Sequence, residues 1–135
     1  MNMNTQVRYK RVMVIDDTYA DRYIAERNIL KNNFAEKVIT MDSAESALRF
    51  LRTADQADLP QLIFLDIRMP ETDGFGFLEK YEALSQEVKS TCIIMMLSTS
   101  LSPADHERAR NNQYVSRFLN KPLNMDRLKE LSMQD

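Results

Sequence analysis

The feature that most limits what this chain can become is its alternation of short apolar runs with longer amphipathic stretches. Val12-Met13-Val14-Ile15, Leu62-Ile63-Phe64-Leu65 and Cys92-Ile93-Ile94-Met95-Met96-Leu97 each run without a charge. Runs this short, bounded by turn signals, read as strands buried on both faces. The strand candidates are 11–15, 38–41, 62–65, 92–97 and 115–119, and helical patterns fill the gaps at 19–33, 43–52, 74–85, 103–112 and 124–132. A strand–helix unit repeated five times argues for a parallel sheet covered on both faces. Parallel neighbours need crossover helices, and those crossovers are right-handed almost without exception.

Local signals support several helices. Ser102-Pro103-Ala104-Asp105 offers a capping hydroxyl, then proline at the first helical position, then an acid in the first turn. Asn124 can cap the last helix, and Asp42 or Ser43 the second. Ala44, Ala47, Leu48 and Leu51 form an apolar stripe on the second helix, and Phe75, Leu78, Tyr81 (or Glu82) and Leu84 a looser one on the third. On the first helix Tyr23, Ile24 and Leu30 are expected to face inward, with Arg27 interrupting the pattern. Residues 52–61 read as a polar surface connection.

Three acids stand where apolar runs stop. Asp16 and Asp17 close the first strand, and Asp66 closes the third. An unpaired carboxylate is too costly to bury within a sheet, so each must emerge at the strand's carboxyl edge. Open α/β sheets build their sites there. The fourth strand delivers Ser98 and Thr99 to the same rim, and the fifth delivers Lys121-Pro122. Carboxylates gathered at one edge repel one another unless a cation joins them. Hard oxygen donors favour magnesium, with Asp17 and Asp66 as direct ligands, Asp16 direct or through water, and the backbone carbonyl of Arg68 as a further donor. Asp66 can then act as a nucleophile, since carboxylates form acyl phosphates. Lys121 would set a point charge on a phosphate oxygen, and Ser98 would donate a hydrogen bond to another. Singly, each residue has a plainer explanation: a turn former, a solvated acid pair, a common Lys-Pro. Four separate strand ends showing this set by accident is a much weaker explanation.

The chain has 135 residues, 44% of them apolar and 28% charged, which suits one soluble domain. Residues 1–8 read as a flexible polar tail and 9–135 as the domain. A net charge of −2 supplies no basic field for nucleic acid, and no segment has the apolar length of a membrane span. The expected setting is the cytoplasm, without direct nucleic-acid or membrane binding. Cys92, the one cysteine, reads as a small buried side chain. His106, the one histidine, is expected on a solvated helix face.

Val14-Ile15-Asp16-Asp17, Leu65-Asp66-Ile67-Arg68-Met69-Pro70-Glu71-Thr72-Asp73-Gly74, Leu97-Ser98-Thr99 and Phe118-Leu119-Asn120-Lys121-Pro122 together resemble the four signature segments of the response-regulator receiver domain. This is the CheY-like module of two-component signalling, and the likeness runs from about residue 10 to 132. It implies a flavodoxin-like (βα)5 doubly wound five-stranded parallel sheet of order 2-1-3-4-5. It also implies that Asp66 accepts phosphate from a sensor histidine kinase or a histidine phosphotransfer protein, with Mg2+, or Mn2+ in its place, held by Asp16, Asp17 and Asp66. Ser98 and Phe118 would form the switch: the hydroxyl reaches the phosphoryl group, and the aromatic ring turns inward. The Lys121-Pro122 bond is often cis in such proteins. The output face would be the fourth helix, fifth strand and fifth helix, with Arg108, Arg110, Arg117, Arg127 and Lys129, contacting an unknown downstream protein or a second copy in a phosphorylation-dependent dimer.

Three departures stand out. Thr99 takes a place where the family usually has a smaller residue. Residues 111–116 lack the usual glycine-alanine turn, so Asn111 or Asn112 is expected to supply a left-handed residue. Arg68 and Ser100 occupy positions that influence phosphoryl lifetime in the family.

Other readings compete. A haloacid-dehalogenase-type phosphatase also uses a strand-end aspartate, but it wants an acid two residues later, where this chain has Arg68. A flavin carrier needs a glycine- and hydroxyl-rich loop where this chain has Asp16-Asp17-Thr18-Tyr19. A receiver cut from a larger or hybrid regulator, and a receiver-like scaffold that takes no phosphate, complete the set.

Overall fold

The computed structural model describes residues 7–132. The bulk of the expected N-terminal tail, residues 1–6, lies outside that range. The elements run β1 (Tyr9–Ile15), α1 (Tyr19–Lys31), β2 (Ala35–Met41), α2 (Ala44–Thr53), a 3-10 turn (Gln56–Asp58), β3 (Leu62–Leu65), α3 (Gly74–Tyr81), α4 (Gln86–Thr91), β4 (Ile93–Ser98), α5 (Pro103–Arg110), β5 (Val115–Asn120) and α6 (Met125–Ser132). The five strands are parallel, in the order β2-β1-β3-β4-β5. The fold class read from the sequence is therefore the one observed.

Alternation along each strand builds two cores. Met13, Ile15, Ile63, Leu65, Ile94 and Met96 point to one face, where α2, α3, α4 and α5 cover them. Val12, Val14, Leu62, Phe64, Met95 and Leu97 point to the other, under α1 and α6. Strands buried on both sides must be apolar at every position, which is why these runs carry no alternating pattern.

The cap signals hold. The side chains of Ser43 and Ser102 accept hydrogen bonds from the backbone N–H groups of Ser46 and Asp105, and Asn124 Oδ1 accepts from Arg127 N at 3.0 Å. The stripe on α2 is buried as expected, and so are Phe75, Leu78, Tyr81 and Leu84.

Four local expectations fail. α1 buries Ala25 and Ile29, while Tyr23, Ile24 and Leu30 remain 50%, 44% and 42% exposed. The small Ala25 lets the helix backbone approach the sheet, and Tyr23 stacks instead on exposed Tyr19 at 6.3 Å. The third helix does not reach residue 85. It stops at Tyr81, and Ser85, accepting from Val88 N at 3.3 Å, caps a separate short helix, α4. The fourth and fifth helices of the sequence reading are thus α5 and α6. Neither Asn111 nor Asn112 is left-handed. Asn112 Oδ1 accepts from Tyr114 N at 2.9 Å and makes the turn with its side chain. Lastly, His106 is half-buried rather than solvated, as described below.

Candidate functional site

Strand pairing aligns the chemistry. Ile15 lies opposite Leu65, so the next residues of β1 and β3, Asp16 and Asp66, leave the sheet side by side. Their backbones are tied into the ladder: Asp66 N donates to Ile15 O at 3.0 Å, and Asp16 N to Met41 O at 3.0 Å. At the other side Lys121 N donates to Ser98 O at 3.0 Å, which locks the β5 exit to the end of β4. The Lys121-Pro122 bond is cis. Gly74 opens α3 directly beneath the rim, and its N–H donates to Ile67 O at 2.8 Å. Any Cβ at Gly74 would lie 2.5 Å from Asp66 O, so only glycine allows the helix to approach the loop this closely. Asp73 Oδ1 caps the same helix through Gly76 N at 2.8 Å.

One carboxylate oxygen from each of Asp16, Asp17 and Asp66 falls within 4.8 Å of the others. Asp16 and Asp66 are buried, and Asp17 is exposed. Three hard oxygen donors around one point, open on the Asp17 side, fit a divalent ion such as Mg2+. Burial, and then the charge of Asp16, push Asp66 up to about 6, against the opposing pull of Lys121.

Lys121 Nζ lies 2.7 Å from Asp16 Oδ2, 2.8 Å from Asp21 Oδ2 and 3.4 Å from Asp66 Oδ2. Burial works against its charge, but the bonds to Asp16 and Asp21 and the charge of Asp66 outweigh it and hold the ammonium above its usual range. Asp16 Oδ1 also accepts from Thr18 N at 2.9 Å, and Arg22 Nη1 donates to Asp16 O at 2.9 Å. Sequence reasoning missed Asp21. Its only signal was an acid in the first turn of a helix that follows directly on the Asp16-Asp17 pair.

Ser98 is buried at the rim, and its Oγ accepts from Ser100 N at 3.2 Å. Ser100 Oγ donates to Asp105 Oδ2 at 2.7 Å, and Arg68 forms an ion pair with the same carboxylate. The Arg68 side chain therefore bridges the loop after Asp66 to α5. With Asp17, Met69, Pro70 and Asp73 it lines an open depression beside the acids. His106 Nε2 donates to Ser100 O at 3.1 Å, and its ring lies against Phe118 with centroids 4.1 Å apart. Phe118 is half-buried at the edge of the α2–α5 core. Thr99, in turn, is exposed and lines a cavity of about 260 Å3 between α1 and the β5 exit.

Of the expected output residues, Arg108 lies over the Phe75 ring at 4.3 Å, Arg110 pairs with Glu107 at 3.3 Å, and Arg127 pairs with Glu130 at 3.7 Å. Cys92 is buried, and burial pushes its thiol up to about 11, which suits a core side chain and not a nucleophile. Among the described residues no helix is long and apolar enough to cross a membrane.

The family model for the response regulator receiver domain matches residues 12–132. The probable methanogenesis regulatory protein FilR2 of Methanothrix harundinacea is 29% identical over 124 residues, covering 87% of this chain and 76% of FilR2. The crystal structure of a response regulator receiver protein from Dyadobacter fermentans superposes with a TM-score of 0.81 at 32% identity, covering 90% of this chain and 94% of that one. The Mn2+-bound form of response regulator Rcp1 shares the fold, with a TM-score of 0.70 at 23% identity, covering 90% of this chain and 88% of that one. Matches also fall within two Arabidopsis thaliana histidine kinases, of whose lengths the chain spans 7% and 11%.

Proposed function

Because the chain belongs to the response regulator receiver domain family, we propose that Asp66 accepts a phosphoryl group from a phosphohistidine and that the modified protein signals through its α5-β5-α6 surface. The observation that carries this reading is the convergence of Asp16, Asp17 and Asp66 within 4.8 Å of one another, beside Lys121. A carboxylate oxygen of Asp66 would attack phosphorus as the bond to the donor imidazole breaks, and the imidazole would leave with that electron pair. A Mg2+ ion, or Mn2+ in its place, would be held by Asp16, Asp17, Asp66 and the Arg68 carbonyl, and when bound it neutralises the acids and draws charge from the phosphoryl oxygens. Lys121 would turn its ammonium to a phosphoryl oxygen once Asp66 no longer carries the full charge. Ser98 would give up the hydrogen bond from Ser100 N and donate to the phosphoryl group. That movement would loosen the Ser100–Asp105 contact, and Phe118 would follow inward as its ring contact with His106 loosens.

The donor would be a sensor histidine kinase or a histidine phosphotransfer protein, and the setting the cytoplasm. The recipient of the signal is a protein that reads the α5-β5-α6 face, or a second copy that dimerises through it. The matches inside histidine kinases favour a second placement of the same chemistry, as the receiver part of a hybrid kinase.

The test is incubation with Mg2+ and acetyl phosphate, followed by intact-mass measurement. The expected result is a labile gain of one phosphoryl group that needs the metal and is absent in Asp66→Asn. Labelling that survives in Asp66→Asn, or no labelling at millimolar Mg2+, overturns the reading. Repeated turnover of simple phosphate esters would point to a phosphatase instead.

A further inference from the structure

An ammonium has three N–H donors, and Lys121 is surrounded by three carboxylates: Asp16 at 2.7 Å, Asp21 at 2.8 Å and Asp66 at 3.4 Å. Two of the three are claimed by the chemistry proposed above, Asp66 as phosphoryl acceptor and Asp16 as ion ligand. Asp21 has neither task. It sits in the first turn of α1 with its carboxylate 39% exposed, whereas the Lys121 side chain is 12% exposed.

We propose that Asp21 is a positioning residue that holds the Lys121 ammonium back from Asp66, keeping the acceptor carboxylate open to the divalent ion and to the incoming phosphoryl group. The inference rests on the reading of Asp66 as phosphoacceptor. Its geometric basis is the inequality of the three contacts. A relaxed ammonium–carboxylate pair closes to about 2.7–2.9 Å. The Asp16 and Asp21 contacts are that short, and the Asp66 contact is not. The backbone of Lys121 is fixed by its bond to Ser98 O, so the side chain alone sets where the charge rests. Behind the ammonium the cavity wall is mostly apolar, with Val14, Ile24, Ala25, Leu97 and Leu123, and besides Asp16 and Asp21 its one polar side chain is the uncharged Thr99, so it offers no other carboxylate. Without the Asp21 charge the ammonium would keep only Asp16 and Asp66 and close on both. It would then compete with a cation for the same oxygens.

Asp21→Asn, Asp21→Glu and Lys121→Ala, with the double variant Asp21→Asn/Lys121→Ala, separate the possibilities. Urea unfolding confirms that each folds. Calorimetric Mg2+ titration of the unphosphorylated protein is the first readout, and the initial rate of acetyl phosphate labelling at subsaturating Mg2+ is the second. For loss of one half-exposed charge-assisted bond, Asp21→Asn should weaken Mg2+ binding roughly threefold to tenfold and slow labelling by a similar factor. Asp21→Glu should restore most of the loss. In the Lys121→Ala background Asp21→Asn should change nothing, because the residue acts through the lysine. The inference is overturned if Asp21→Asn leaves Mg2+ affinity unchanged, or if the loss is equally large without Lys121, which would make Asp21 a simple neighbouring charge. Failure of the underlying phosphoacceptor reading would be seen separately, as an unsubstituted chain with no Asp66-dependent labelling.

Discussion

Asp66 shows how a site is made out of an unfavourable placement. Its carboxyl is buried beside Asp16, and the folded protein holds its proton more tightly than the unfolded chain does, with the value raised from 3.8 to about 6. The sign of the linkage follows. Such a group contributes stability that is fully present below 3.8 and is lost as pH rises through 6. Asp66→Asn removes the group that ionises. In metal-free buffer the variant should therefore be more stable than the parent at pH 7.5, by about 2–3 kcal/mol. Urea titrations at pH 7.5 and 3.5 should show that advantage shrinking to nothing at the lower pH, and a constant difference would mean that ionisation is not the source of strain. Asp16, Asp17, Asp66, Ser98 and Lys121 were legible in the sequence because each closes or follows an apolar run, where a polar residue has nowhere to go but the rim. Asp21 and His106 were not. Each lies inside a polar helix, where one more charged residue looks like solvated surface, and only the fold brings them to Lys121 and Phe118.

At the scale of elements, the short apolar runs located β1, β3 and β4 well, because a strand covered on two faces tolerates no charge. Size misled on α1: the large Tyr23, Ile24 and Leu30 lie outward while Ala25 and Ile29 take the contact. The break between α3 and α4 hid in a single serine, Ser85, whose hydroxyl starts a new helix where the apolar stripe alone runs on to Leu84. The junction of β3 and α3 is the least forgiving of all. Gly74→Ala would place a methyl group 2.5 Å from Asp66 O and 3.0 Å from Ile67 Cα, both backbone atoms that cannot move aside alone. It should cost about 2–3 kcal/mol of stability by overpacking and slow phosphorylation by shifting Asp66. Gly76→Ala is the control, since its closest neighbour is the Thr72 side chain. Equal effects of the two substitutions in urea unfolding and labelling would remove the special role of Gly74.

Across the whole molecule, one continuous set of contacts runs from the loop after Asp66, through α5, to Phe118 on β5. Arg68 pairs with Asp105, Ser100 joins Asp105 to Ser98, and His106 joins Ser100 to Phe118. Coupling between sites needs an element with two arrangements, and the proposed inward turn of Phe118 supplies one. The tilted contact of His106 with Phe118 gives that turn a messenger of its own. The chain has a single histidine, so one imidazole contributes all the ring-proton resonances of that type, and an aromatic ring 4.1 Å away displaces them by its ring current. Beryllofluoride with Mg2+ should move those resonances, and Asp66→Asn should hold them still; silence from the unsubstituted protein at saturation would mean that Phe118 stays put. The molecule is thus furnished with a native beacon, readable in a proton spectrum without any label, that would tell which way the Phe118 ring points.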